Sequence, residues 1–425
     1  DTVYDDLIPD IKRRTPSVKH FYHIDEKEGG IWMSLDSFSE NEKSAETIQQ
    51  VRDAEKQVDT QDPVFIIFTS GTTEMPKGVV LTHYSVINDA LHTKHYMRWT
   101  EEDKMCVSAP MFHCFGLITA LVGCVTTGFT MHLLPYFRTA TVWRAITEYH
   151  CTIMIGVPSM YLALIHKSEY ADLNGESLKS GIVGGSPLPP DEYEEISARF
   201  PNMHLQPSFG MTEMSAAVSF AGWDDPIEKK AVTVGRLMED VEGRIVDPES
   251  GKVLGPNQRG EIQFRGFNVM KEYYKRPDKT AEAFTADGWF RSGDIGYFND
   301  EEELCITGRL KDMIIRGGEN ISPMEIEEVI LRSGMVENVK VVGVPSKFRQ
   351  EEVAACVIPK NGNILNMESF YAFLKPRIAS YKVPKFVLSF HEFPMTASGK
   401  IDIAEIKHQA IELTKTPNER CFVNA

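Results

Sequence analysis

Ten consecutive residues, Thr69-Ser70-Gly71-Thr72-Thr73-Glu74-Met75-Pro76-Lys77-Gly78, gather four hydroxyls, two glycines and one lysine in a single loop. That set suits a phosphate. Glycines let backbone amides approach an anion, hydroxyls donate to its oxygens, and the lysine adds positive charge. The apolar run at 64–68 reads as a buried strand, and Val79-Val80-Leu81 as a second one with a helix starting at Thr82. The loop is not a Walker A sequence: Pro76 stands where the second glycine belongs, and Gly78 where a Ser or Thr would hold magnesium. A Ser/Thr-rich turn accounts for the same letters if nothing else supports them.

The elements that would position this loop follow from periodicity. Apolar runs at 64–68, 105–109, 130–134, 152–155, 181–183 and 203–206 alternate with helical patterns at 84–97, 116–126, 139–149, 158–166 and 190–200. Strand and helix in turn imply a largely parallel sheet covered on both faces. Ligands in such sheets collect at the carboxyl ends of strands. The hydroxyl-rich loop, His113, Gly184-Gly185-Ser186 and Phe209-Gly210-Met211-Thr212-Glu213 all fall there. Residues 230–308 read as a small β-rich module with strands at 241–246, 260–265 and 303–307. A compact α+β pattern follows. Ser322-Pro323-Met324-Glu325 is a capping box with proline at the first helical position, predicting a helix over 323–332. Strands are expected at 338–344, 353–358 and 386–390, and a helix at 367–377. A domain boundary is set at Lys311, a charged helix is expected at 44–56, and 413–425 reads as a frayed tail.

Composition narrows the function classes. A chain of 425 residues has room for two or three domains, and 42% apolar with 25% charged residues is ordinary for a soluble globular protein. The formal charge of -16 argues against nucleic acid as a partner, but not against a nucleoside triphosphate, which needs only a local basic pocket. Seven cysteines without a Cys-x-x-Cys pair point away from a metal cluster or disulfide framework and toward reduced thiols in the cytoplasm. The longest apolar stretch, 115–131, is interrupted and too short to span a bilayer. No secretory signal is visible, and the start at Asp1 rather than Met carries little weight.

Eight motifs then occur in an order that resembles the adenylate-forming superfamily of acyl-CoA synthetases, nonribosomal-peptide adenylation domains and firefly luciferase. They are TSGTTEMPKG (69–78), PMFHCFG (110–116), GGSPL (184–188), SFGMTE (208–213), WFRSGD (289–294), GRLKD (308–312), RGGENISP (316–323) and PMTASGK (394–400). RGGENISP, SFGMTE and PMFHCFG resemble fatty acyl-CoA synthetases and carnitine-CoA ligases more than amino-acid adenylation domains. The resemblance implies an α/β fold: a large N-terminal AMP-binding domain of mostly parallel sheets with a β-rich subdomain (1–310, its own N-terminal part missing), and a small mobile α+β C-terminal domain (311–412).

It also implies roles. Thr69, Ser70, Gly71, Thr72, Thr73 and Lys77 would hold the β and γ phosphates of ATP. Thr212 would donate to the α phosphate and Glu213 bind Mg²⁺, which prefers carboxylate and phosphate oxygens; as plain structure, Thr212-Glu213 would be a helix N-cap with a first-turn acid. Phe209, where the family usually has tyrosine, would stack on adenine beside Gly210 and Met211, with Gly184, Gly185 and Ser186 along the adenine edge. Asp294, in a Ser-Gly-Asp turn, would accept from both ribose hydroxyls, with Arg309 nearby. His113 would stand where acyl pocket and thiol tunnel meet. Cys114 has nothing around it to lower a thiol pKa, and no nucleophilic role is expected. Lys400 would set its ammonium between substrate carboxylate and α phosphate, a contact worth about 3–4 kcal/mol by analogy with an oxyanion-hole donor.

The implied reaction has two halves: a carboxylate attacks the α phosphate to give acyl-AMP and pyrophosphate, and the thiol of CoA then displaces AMP. Rotation about a hinge at Lys311 would exchange Lys400 for Gly317, Gly318 and Glu319, whose glycines leave room for a pantetheine arm. Two other readings stay open at this point. One is an adenylation domain loading an acid onto a carrier protein. The other is a nucleotide-binding protein without ligase activity, for which Glu74, an acid where the family has a small residue, gives some footing. The acid itself and the oligomeric state, a homo-oligomer included, are not legible.

Overall fold

The computed structural model describes residues 3–23, 32–36, 45–69, 76–362, 365–396, 400–416 and 421–423. The chain falls into two compact units, Asp1–Asp59 and Thr60–Ala425. The first holds the helices Val3–Arg14 and Ala45–Glu55 and a short parallel pair, Phe21–His23 with Trp32–Ser34.

The second unit is built on a seven-stranded sheet in the order Arg236–Leu237, Ser219–Phe220, His204–Phe209, Ser180–Gly184, Ile153–Gly156, Lys104–Val107, Thr130–Leu133. The last five are parallel. Side chains alternate along each strand, and the two faces bury separate clusters. Met105, Val107, Ile153, Ile155 and Ile182 pack with Val86, Ala90 and Ile118 on one side. Cys106, Met154, Val183 and Leu205 pack with Trp143, Ile146, Tyr161, Tyr193 and Ile196 on the other. The expected parallel sheet with two covered faces is therefore present, and the ends of its five parallel strands point one way.

One expected member is absent from it. Pro63–Thr69 pairs antiparallel with Lys77–Thr82 in a separate three-stranded sheet completed by Glu272–Tyr273. Nor is 64–68 buried: only Ile67 is, while Phe68 is 63% exposed. A continuous apolar run does not reveal that one of its faces lacks a covering layer. The helix His83–Tyr96 begins as expected, with Thr82 as N-cap in a reciprocal capping box with Ser85. The helix expected at 116–126 is a π-helical turn, Phe115–Val122, running into Gly123–Thr127.

A four-stranded antiparallel sheet follows, Val241–Val246, Gly260–Gly266, Phe290–Phe298 and Leu304–Arg309. The strand Phe290–Phe298 escapes the periodicity because Ser292, Gly293 and Asp294 interrupt it. Asp294 consequently lies within a strand at a register shift, not in a turn. Beyond Leu310–Asp312, the C-terminal sheet centres on Gln350–Pro359, flanked by Val336–Ser346 and Phe386–Ser389, with Ile314–Arg316 and Glu319–Ile321 at one end. Its helices are Pro323–Leu331, Met367–Leu374 and Ile403–Lys415. Ser322 does not cap the first of these; its hydroxyl donates to Thr307 O at 2.7 Å, and Glu325 accepts from Lys382 instead. Part of the expected tail is ordered: the helix runs to Lys415, and Cys421–Val423 pairs with Phe386–Ser389 as an edge strand whose Cys421 is buried. No helix among the described residues is long and apolar enough to cross a membrane.

Thr82 ends the strand that carries Lys77 and starts a helix in the same step. Thr82→Ala removes the cap and should lower stability by about 1 kcal/mol, read as a shift of the urea midpoint with an unchanged m-value.

Candidate active site

The carboxyl ends of the parallel strands carry His113, Gly184, Gly185, Ser186 and Phe209 to Glu213, and other sheets supply Lys77, Asp294, Arg309 and Lys400. The strand His204–Phe209 delivers Phe209, half-buried, with its ring 6.0 Å from that of Phe264. The chain then turns tightly at Gly210, where a Cβ would lie 1.7 Å from Ala216 O, so no side chain fits. A single 3-10 turn, Thr212–Met214, follows. Its N-cap is Met211 without a side-chain hydrogen bond, so the expected capping role of Thr212 is not found. The buried Thr212 hydroxyl donates to Cys114 Sγ at 3.7 Å.

Glu213 is held twice by one segment. Its backbone oxygen accepts from Met270 N at 2.8 Å, and its Oε1 from the Tyr273 hydroxyl at 2.8 Å. The Lys77 ammonium sits 4.3 Å from the centroid of that same tyrosine ring. Thr69, opposite Lys77 in the hairpin, donates weakly to Lys77 O at 3.4 Å. Ser70, Gly71, Thr72 and Thr73, with Glu74, lie outside the described residues.

Asp294 and Arg309 face each other across two strands, Nε to Oδ1 at 2.7 Å. Burial pushes the Asp294 carboxyl up, against the pull of Arg309. Its second oxygen is buried with no hydrogen-bond partner among the described residues. One acceptor is thus already used, where two were expected to be open.

Lys400 arrives from the C-terminal sheet. A bridge between Met395 and Ile401 closes its loop, and Thr396 N donates to Lys400 O at 2.7 Å. The side chain reaches the turn after Ser180–Gly184: Cε and Nζ both lie 3.2 Å from where a Cβ on Gly185 would stand. Gly185 is in the left-handed region, φ +79°, so glycine is required there by conformation as well as by space. Gly184 and Ser186 flank it, the Ser186 hydroxyl donating to Gly185 O at 2.9 Å. Burial draws the Lys400 pKa below the ordinary lysine value, with Arg309 adding to the effect. No ion pair to Lys400 occurs among the described residues.

His113 is held neutral. Burial first, and the Lys400 charge second, lower its pKa to about 4. Its Nδ1 accepts from Phe115 N at 3.2 Å, which leaves the proton on Nε2. Burial pushes the Cys114 thiol up to about 11, the opposite of what a nucleophile needs.

Three predicted residues stand apart. Gly317, Gly318 and Glu319 are exposed at the tip of the hairpin Ile314–Arg316 with Glu319–Ile321, held by Gly317 N to Arg349 O at 3.0 Å. No hydrogen bond or ion pair among the described residues ties them to the Lys400 group. Lys311 is exposed in the turn Leu310–Asp312 between the four-stranded and C-terminal sheets. Tyr273 was missed by sequence reasoning; it sits in a two-residue strand too short for any periodic signal.

The chain matches the family model described as AMP-binding enzyme over residues 10–274, and the AMP-binding enzyme C-terminal domain over 325–400. It is 37% identical to the YngI protein of Bacillus subtilis over 84% of its length. It is 35% identical to the mitochondrial medium-chain acyl-CoA ligase ACSF2 of Danio rerio over 95%. The chain spans only 65% and 66% of those two proteins. Among solved structures, ATP-bound MatB from Rhodopseudomonas palustris superimposes with a TM-score of 0.79 at 29% identity, over 84% of this chain and 69% of that one. Matched by both family models and in fold, the chain belongs to the AMP-binding enzymes of the adenylate-forming superfamily.

Proposed function

We propose that the protein is an ATP-dependent acid:CoA ligase, which joins a fatty or related carboxylic acid to AMP and then to the thiol of CoA. The observation that carries this is the Lys400 ammonium beside Gly185. A half-buried cation with a depressed pKa, next to a second cation and no carboxylate of its own, favours an anion there. A substrate carboxylate meeting an α phosphate supplies two.

The other residues fit around that point. Phe209 offers a ring face to adenine, and the open oxygen of Asp294 accepts from a ribose hydroxyl while Arg309 holds the first. Thr212 donates to the α phosphate, and Thr69, Ser70, Gly71, Thr72, Thr73 and Lys77 receive the β and γ phosphates. Charge that grows on the phosphorus oxygens during attack is met in this reading by Lys400 and Thr212.

Magnesium fits as a phosphate-borne ion. No cluster of three His, Cys, Asp or Glu side chains occurs among the described residues, so an all-protein cage is not on offer. Magnesium commonly takes one or two carboxylates together with substrate phosphates, and Glu213 is the carboxylate for that. When bound, the ion would neutralise phosphate charge.

For the second half, we take Lys311 as the hinge of a C-terminal domain over 311–412. Rotation would withdraw Lys400 and bring Gly317, Gly318 and Glu319 to the site as the CoA channel, opposite His113. The neutral imidazole then presents an uncharged surface where acyl chain and thiol meet. The ACSF2 relative favours medium-chain acids, and seven free thiols suit a reducing compartment such as the cytoplasm.

Lys400→Ala should reduce acyl-AMP formation, read as pyrophosphate release with acids of four to sixteen carbons, by about 10²–10³-fold. It should leave thiolysis of preformed acyl-AMP within about twofold. Equal loss in both halves, or no pyrophosphate release from the wild-type chain with any acid, contradicts the proposal. The pH profile has a defined sign. Lys400 acts as a cation and its folded pKa is lowered, so kcat/KM for ATP in the first half should decline on the alkaline side below the ordinary lysine value near 10.4. Lys400→Arg, which stays charged, should remove that decline.

A further inference from the structure

We propose that Tyr273 is a positioning residue that keeps the Lys77 ammonium and the Glu213 carboxylate from neutralising each other, so that each meets Mg·ATP with its charge available. The inference rests on the reading of Lys77 and Glu213 as groups that face ATP, and goes on to explain how two opposite charges are kept usable.

The placement follows from strand pairing. Glu272–Tyr273 runs antiparallel to Lys77–Thr82 with Tyr273 opposite Val79. Lys77 and Val79 are two residues apart and share a face of the strand, so the tyrosine ring comes to lie beside the lysine. The ammonium rests 4.3 Å from the ring centroid. At the far end of the ring the hydroxyl donates to Glu213 Oε1 at 2.8 Å. Cation and carboxylate are therefore each satisfied by a different part of one neutral side chain. No ion pair joins Lys77 to Glu213 among the described residues.

Both contacts are well supported. Tyr273 is 5% exposed. Its backbone N donates to Thr280 Oγ1 at 3.0 Å, and Met270 of the same segment grips the Glu213 backbone. A π face attracts a cation without discharging it, and a hydroxyl donates to a carboxylate without adding charge. A direct Lys77–Glu213 ion pair would have to be broken before either group met phosphate or metal.

The test is calorimetric titration of ATP into the full chain over a Mg²⁺ series, with wild type, Tyr273→Phe, Glu213→Gln and the double variant. Tyr273→Phe keeps the ring but frees the carboxylate to pair with Lys77. It should weaken ATP binding without Mg²⁺ about tenfold, and raise the Mg²⁺ needed for half-maximal affinity about as much. In the Glu213→Gln background there is no carboxylate to capture Lys77, and Tyr273→Phe should then have no further effect. An equal loss in both backgrounds marks a merely structural tyrosine and overturns the proposal, as does a Tyr273→Phe variant that tracks wild type. A wild-type chain that binds no ATP at any Mg²⁺ concentration overturns the underlying reading as well.

Discussion

A lysine brought out of water without a carboxylate partner is unfavourable for the folded chain, and Lys400 is held in that condition beside a glycine turn. Desolvation lowers its pKa, and its charge helps hold His113 neutral. The rest of the site is arranged around positive charge that the protein does not itself cancel. Arg309 spends its Nε on Asp294 Oδ1, and Lys77 rests on an aromatic face. Such a site is stabilised by a polyanion more than by any rearrangement of its own side chains. The strained term and the binding term are the same interaction seen without and with ligand.

The scaffold explains how this is tolerated. Gly185 and Gly210 both make close approaches in the site: a Cβ at the first would meet the Lys400 ammonium, and one at the second a backbone carbonyl. Both follow strands of the parallel sheet, whose cores on the two faces fix where the turns begin. The C-terminal sheet carries its own core and, among the described residues, lends Lys400 to the site. In the proposed two-step reaction, a cation supplied by a separate sheet would be withdrawn without unpacking the cradle.

Much of this was legible in the residues. The alternation of apolar runs gives the parallel sheet because both faces are buried, and Gly184-Gly185-Ser186 and Phe209 to Glu213 follow its strands for topological reasons. What was not legible depends on cross-strand register or on which neighbours are present. Phe68 is apolar yet exposed, because nothing in a single strand states what covers it. Asp294 meets Arg309 only once the strand Phe290–Phe298 is aligned with its neighbour past a bulge. Ser322 carries a capping signature but donates to Thr307, since a carbonyl on the other side of Lys311 competes for its hydroxyl. Cys421–Val423 looks like a tail until the edge of Phe386–Ser389 is seen to be available. Tyr273 has meaning only through Lys77 and Glu213, distant in sequence and adjacent in space.

The central claim is that an anionic substrate relieves the desolvated charge on Lys400, and proton linkage measures that directly. Titrating Mg·ATP into the protein at alkaline pH, in buffers of different ionisation enthalpy, gives the number of protons exchanged on binding. If the phosphates restore the lysine pKa, wild type takes up protons on binding ATP and Lys400→Met does not. Identical proton exchange in the two proteins would mean that Lys400 does not meet the nucleotide, and the account would fail at its starting point.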